Sequence, residues 1–264
     1  MRIFLRLWIV LCLSGTAWAM DEVVVSEEGP SIAERSMFMP GFLPLYWDSG
    51  EGRLYGDIHG LTGPFIYYNG LSHGVGSNDL GLDRGRLGDA HLVQLDQVGK
   101  KVLLTAVNTK YTARSDNTAE RRAVEEAFAQ SIIWGFEVAE QSEGMTLVDL
   151  TDFALSDATD LSRLLAARGE GSYTIDGSRS AIHVPKTKSF PDNTEIDARL
   201  TYAGDPKGSI LRTVAPDASA ITVHSHHSFV RLPDEGYEPL PFDPRAGYID
   251  SGEDSLVYDY ASPI

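Results

Sequence analysis

The chain has 264 residues, 38 Asp and Glu against 22 Lys and Arg, seven histidines and a single cysteine. A formal charge of −16 leaves no clustered basic surface for nucleic-acid phosphates or an anionic membrane face, so neither is expected as a partner. One cysteine excludes an internal disulfide and a cysteine-ligated zinc centre, and the core must hold by packing alone.

The first element is a targeting segment. Arg2 and Arg6 precede an apolar run from Leu7 to Leu13 and the small-residue site Ala17-Trp18-Ala19, the order of features in a cleavable secretory signal peptide over residues 1–19. The run is far shorter than the ~20 residues needed to cross a bilayer, so no membrane span is expected. Cleavage before Met20 removes Cys12 and two arginines, taking the charge to −18 and placing the protein in the periplasm or outside the cell. Residues 20–41 show no sustained periodicity and read as a flexible lead-in, with the fold starting near Gly41.

From there, Leu43 to Trp47, Arg53 to His59 and Pro64 to Asn69 are short β-type runs between glycine-bearing turns, which predicts an antiparallel meander. Ala90 to Gln97 and Val102 to Val107 form a hairpin about Gly99-Lys100. A helical period follows Asn117, with Glu120 at the third helical position and Ala119, Ala123, Ala127, Val124 and Phe128 recurring at four-residue spacing. A second apolar stripe, Ala158, Leu161, Leu164 and Leu165, is stopped by Gly169 and Gly171. Beyond it Ile196, Ala198, Leu200 and Tyr202 alternate with Glu195, Asp197, Arg199 and Thr201, a strand with one wet face. These elements predict an α+β, β-rich fold: antiparallel sheets with two packed helices at about 117–130 and 156–168. A single β-rich domain is expected over 42–264, truncated at its C-terminus.

The chemistry is sparse. There is no His-Glu-x-x-His, no Gly-x-Ser-x-Gly and no phosphate-binding Gly-x-x-x-x-Gly-Lys. On a strand, residues two apart share a face, so His224 and His226 stand side by side as half of a zinc site. No third ligand is identifiable, and the plainer reading is a hydrogen-bonded polar strand face. Gly74 to Gly88 alternates glycines with carboxylates and arginines, and could present Asp79, Asp83 and Arg84 to a ligand. Arginine–carboxylate pairing that pins a tight turn is the simpler account.

Gly76-Ser77-Asn78-Asp79-Leu80-Gly81-Leu82-Asp83-Arg84-Gly85, Ser115-Asp116-Asn117 with Glu120 to Val124, and Phe128 to Ser131 with Trp134-Gly135-Phe136 form a pattern with Leu147 to Phe153, His226 to Val230 and Phe242 to Tyr248. Their order and spacing resemble the N-terminal region of secreted bacterial zinc-dependent metalloproteases, over residues 43 to 264. The resemblance implies a non-catalytic region that shields, folds or positions a catalytic domain lying beyond it. It implies no cofactor in this chain, with zinc expected only in that missing domain, and the catalytic domain, in cis or in trans, as partner. The rival expectations are a stand-alone exported binding module and a metalloenzyme built on His224 and His226.

Mass spectrometry of the exported protein should find Met20, or a residue beside it, at the N-terminus. Recovery of an intact chain beginning at Met1 from periplasm or medium would rule cleavage out.

Overall fold

The computed structural model describes residues 29–113, 115–234, 236 and 258–259; the signal segment 1–19 lies outside them. The chain divides into two units, residues 1–30 and 31–264, and the second is described below.

The second unit opens with one turn of helix, α1 (Ile32–Arg35), capped by the Ser31 hydroxyl and fixed where Arg35 Nε meets the buried Asp48 carboxylate at 2.6 Å. Strands β1 (Met37–Met39), β2 (Leu45–Asp48) and β3 (Arg53–Asp57) pair in sequence. Structure therefore begins inside the stretch expected as flexible lead-in, before Gly41. After β4 (Phe65–His73) come β5 (Leu87–Val98) and β6 (Lys101–Ala106), a hairpin about Gly99 as expected. Then follow β7 (Tyr111–Thr112), α2 (Thr118–Ala127), β8 (Ser131–Ser142), β9 (Met145–Asp149), α3 (Thr151–Ala154) and α4 (Leu161–Ala167). The last part holds β10 (Gly171–Ile175), β11 (Ala181–Ile182), β12 (Lys188–Ser189), β13 (Asn193–Pro206), α5 (Ile210–Val214) and β14 (Ala220–Val230). A short β15 (Tyr258–Asp259) runs parallel to β7.

Two expectations are overturned. The first runs of strand are not one meander: β3 pairs with β9, and β4 lies across the sheet between β5 and β14, in the order β1-β2-β3-β9-β8-β6-β5-β4-β14-β13-β10. The fold class is not α+β. Strands make up 45% of the structure against 17% helix, and the antiparallel strands curl into one nearly closed, barrel-like sheet to which the helices are small additions.

The ends of that sheet approach each other directly. Phe42 N donates to Phe190 O at 2.7 Å, Leu43 N to Thr194 Oγ1 at 3.0 Å, and Ser189 Oγ to Leu43 O at 2.8 Å. Gly41 permits the approach, because a Cβ there would lie 2.1 Å from Ser189 Oγ.

Helix α2 falls where it was expected, with the Asn117 side chain accepting from Ala119 N, yet none of its residues is buried. An alanine stripe removes too little apolar area from water to hold a helix against a sheet. The helix expected over 156–168 is shorter, because Asp157 accepts from Leu161 N and Ser162 N, at 2.8 and 2.9 Å, and starts α4 there. Its Leu161 and Leu165 are fully buried.

Short α3 drives Phe153 into the barrel, where its ring lies 5.0–6.1 Å from those of Tyr67, Trp134, Phe136, His227 and Phe229. Phe153→Ala should cost about 3–5 kcal/mol, read as a lower urea midpoint at unchanged slope. A loss below about 1 kcal/mol would show that the ring is not central to the core.

Candidate functional site

Strands β13 and β14 are paired so that Asp197 lies opposite His226 and Glu195 opposite Ser228. Alternation sends Ile196, Ala198, Val223 and Phe229 into the core. Glu195, Asp197, His224, His226 and Ser228 are left on the outer face. The expected wet face is not wet at Asp197, which is fully buried. Strands β11 and β12 pair with β13 on either side of this position, and the 3₁₀ turn Val184–Lys186 between them forms a strap over it. The strap is held by His183 N donating to Asp197 O at 2.7 Å and by Asp197 N donating to Thr187 Oγ1 at 3.2 Å.

The carboxylate is met from three directions. Nδ1 of His183 and Nδ1 of His224 lie 2.9 and 2.8 Å from the same oxygen, Oδ1. Ser72 Oγ donates to Oδ2 at 2.5 Å. Ser72 is available because the β4–β14 register shifts between His224 and Ser225, a bulge that sets Ser72 and His73 against one residue. His73 lies against His224 with ring centroids 4.1 Å apart. Burial pushes the Asp197 carboxyl up, but the His226 imidazole nearby and hydrogen bonds from Ser72, His224 and His183 outweigh it and hold the group well below the usual carboxylate range. An ionised carboxylate only accepts, so both Nδ1 atoms carry protons.

His226 is a cation between two carboxylates. Its Nε2 lies 2.6 Å from Glu195 Oε2, while its Nδ1, 3.5 Å from Asp197 Oδ2, makes an ion pair too long for a directed hydrogen bond. Asp197 first and Glu195 second raise its pKa to about 9, against burial. Burial likewise pushes Glu195 up, and His226, Ser228 and Asn193 bring it below its ordinary value. Next to it His227 faces the core, fully buried, its Nδ1 3.0 Å from Tyr67 Oη, and burial lowers its pKa to about 4. His73 is lowered by burial and then by His224, Lys186 and Arg84.

Beside His226 opens a cleft of about 350 Å³, floored by Glu195 and His226 and walled by Tyr68, Leu87, Pro185 and Phe190, with Arg86, Lys186 and Lys188 at its edge. A larger cleft of about 640 Å³, between Phe42, Phe65, Asp192 and Arg231, carries one ion pair and no convergent titratable cluster.

Of the residues singled out from sequence, His224 and His226 do share a face, although the first belongs with His183 and the second with Glu195. The glycine-rich loop is organised by Leu80 and Leu82, both fully buried, and by Val75 N donating to Leu82 O at 2.8 Å. The Asp79 carbonyl accepts from Arg168 Nη1 at 3.1 Å, Asp83 is half-buried and Arg84 is exposed on the side where its charge acts on His73. Asp79, Asp83 and Arg84 do not converge in one hydrogen-bonded set among the described residues. Ser72, His73, His183, Glu195 and Asp197 escaped the sequence reading. The signal that would have found two of them is Glu195-x-Asp197 on one strand beside His224-x-His226 on another, two like-spaced pairs of opposite chemistry.

Fold and site together define an antiparallel, nearly closed β-barrel protein with a histidine and carboxylate cluster on its outer face. The chain belongs to the family DUF5117, a domain of unknown function, which matches residues 85–263. That span includes His183, Glu195, Asp197, His224 and His226, and the description makes no link to metalloproteases. No curated protein and no solved structure matches the chain.

The two neighbouring histidines predict opposite limbs of a stability profile. His227 takes a proton near pH 6.5 when unfolded and only near 4 when folded, so stability is lost as pH falls through that interval, by up to about 3 kcal/mol. His226, raised to about 9, contributes stability that is fully present below about 6.5 and lost as pH rises towards 9. Urea midpoints across this range should fall at both ends, with His227→Gln flattening the acid limb and His226→Gln the alkaline one. Unchanged slopes in both variants would refute these protonation states.

Proposed function

We propose that this chain is a non-catalytic, exported N-terminal region of a zinc-dependent metalloprotease, and that it acts by binding, shielding, folding or positioning a catalytic domain in cis or in trans. The likeness over residues 43 to 264 to such regions supports the family reading. The binding reading rests on how the hydroxyls and imidazoles at the cleft are committed. Ser72 and Ser228 donate to Asp197 and Glu195, carboxylates that histidines also engage, and His73 Nδ1 stands farther from Ser72 Oγ at 3.5 Å, so both hydroxyls are spent on holding buried charge. His226, with a pKa of about 9, is already protonated at neutral pH and has no lone pair to accept a proton.

A recognition surface remains. Leu87 is 71% exposed and Phe190 44%, and both border the charged floor of the cleft. Exposed large apolar side chains grouped beside a cleft are the kind of patch that marks an interaction site.

The isolated mature chain should cleave neither casein nor quenched peptides, with or without zinc, and should associate with a catalytic domain supplied in trans. Leu87→Ala and Phe190→Ala should each weaken that association by about 1–2 kcal/mol, roughly 5- to 30-fold. Zinc-dependent proteolysis by the isolated chain would end this reading. A soluble monomer that ignores the catalytic domain would favour the stand-alone exported binding module.

A further inference from the structure

We propose that His183, Asp197 and His224 form a binding site for a late first-row divalent metal ion, with the His73 ring against His224. The site is separate from the cleft surface argued above and stands whether or not the chain serves a protease.

The geometry carries it. One ligand atom from each of His183, Asp197 and His224 lies within 4.8 Å of the others. Two of the three separations are 2.9 and 2.8 Å, from the histidine Nδ1 atoms to one carboxylate oxygen. Ligands about 2.0 Å from a tetrahedral ion stand about 3.3 Å apart, so the two nitrogen–oxygen separations open by a few tenths of an ångström and the nitrogen–nitrogen one, within 4.8 Å, comes to the same value. Two imidazoles and a carboxylate are a donor set that suits zinc, copper, nickel or iron(II) rather than calcium or magnesium.

The supporting structure holds the donors in place. His183 begins the strap, which is pinned to β13 on both sides of Asp197, and His224 lies on β14 beside the bulge in β4. Asp197 cannot turn away, because Ser72 Oγ holds its other oxygen at 2.5 Å. Such an orienting hydrogen bond to a ligating group is the usual companion of a metal site. The side chains of His183 and His224 are 17% and 15% exposed, which gives an ion a path from solvent to a carboxylate that is itself buried.

Coordination balances without a base. Each imidazole gives up the Nδ1 proton now shared with Oδ1 and carries one on Nε2 instead, so the neutral ring changes tautomer and the ion replaces two hydrogen bonds with two bonds to nitrogen and one to oxygen. The ion takes Asp197 through Oδ1, while Oδ2 keeps Ser72 and the ion pair with His226 at 3.5 Å. His226 stays out of the ion's shell, its Nε2 engaged by Glu195 at 2.6 Å.

The test is retention of zinc by the full mature chain. Protein stripped with chelator, equilibrated with zinc chloride and freed of excess should hold one zinc per chain by elemental analysis. Its cobalt(II) form should show visible d–d bands. His183→Ala and His224→Ala should each weaken zinc binding at least about tenfold and abolish those bands, with the circular dichroism of the fold retained. His59→Ala, at an exposed and distant histidine, should change neither. The proposal is overturned if folded wild-type chain retains no zinc, if both cluster variants bind as wild type does, or if zinc is lost on changing His226 but kept on changing His183.

Discussion

The carboxylate of Asp197, fully buried on the face of the sheet that looks away from the core, is the constraint on which the rest of this region depends. Removing an ionised carboxylate from water costs several kcal/mol unless charged or polar donors replace the lost hydration. The donors come from three separate parts of the chain: Ser72 on β4, His224 and His226 on β14, and His183 on the strap. Each arrives only if β13 and β14 hold their register and β4 carries its bulge. A one-residue slip would turn Asp197 towards the apolar core and Ala198 towards the histidines. The polar cluster therefore specifies the pairing of the sheet as much as the apolar core does.

Local patterning revealed the elements well and their arrangement poorly. The hairpin at Gly99, the Asn117 cap and the strand through Ile196 to Tyr202 depend on residues close in sequence, and the structure contains all three, although Asp197 and Thr201 on the strand's polar side are buried. The pairing of β3 with β9, across about ninety residues, leaves no local mark, because any apolar strand edge offers the same backbone groups. The same limit misjudged the helices. Periodicity identified α2, but only the sheet's curvature decides whether an alanine stripe finds a surface to cover, and here it does not.

The site was half legible for a related reason. His224 and His226 announce a shared face by spacing alone, whereas His183 is an isolated histidine in a turn and Ser72 reaches Asp197 only through a bulge. Alternation read Asp197 as solvated, and that inference fails wherever a later or earlier segment folds over the polar face. The strap 183–187 does so, and the price is a buried charge that must find partners.

The strap also links the site to the closure of the sheet. Continuing from Thr187, the chain forms β12 and reaches Phe190, whose carbonyl accepts from Phe42 N, while Ser189 Oγ and Thr194 Oγ1 engage Leu43. Phe190 thus helps to bring the two ends of the barrel together through its backbone and to wall the cleft beside His226 through its ring. His183, at the other end of the same short segment, is fixed by Asp197. A ligand that tightened the His183–Asp197–His224 cluster would restrain the strap at its start, and a partner seated against Phe190 would restrain it at its end. One short, hydrogen-bonded segment thus ties the buried carboxylate on one side of the sheet to the seam where its ends meet.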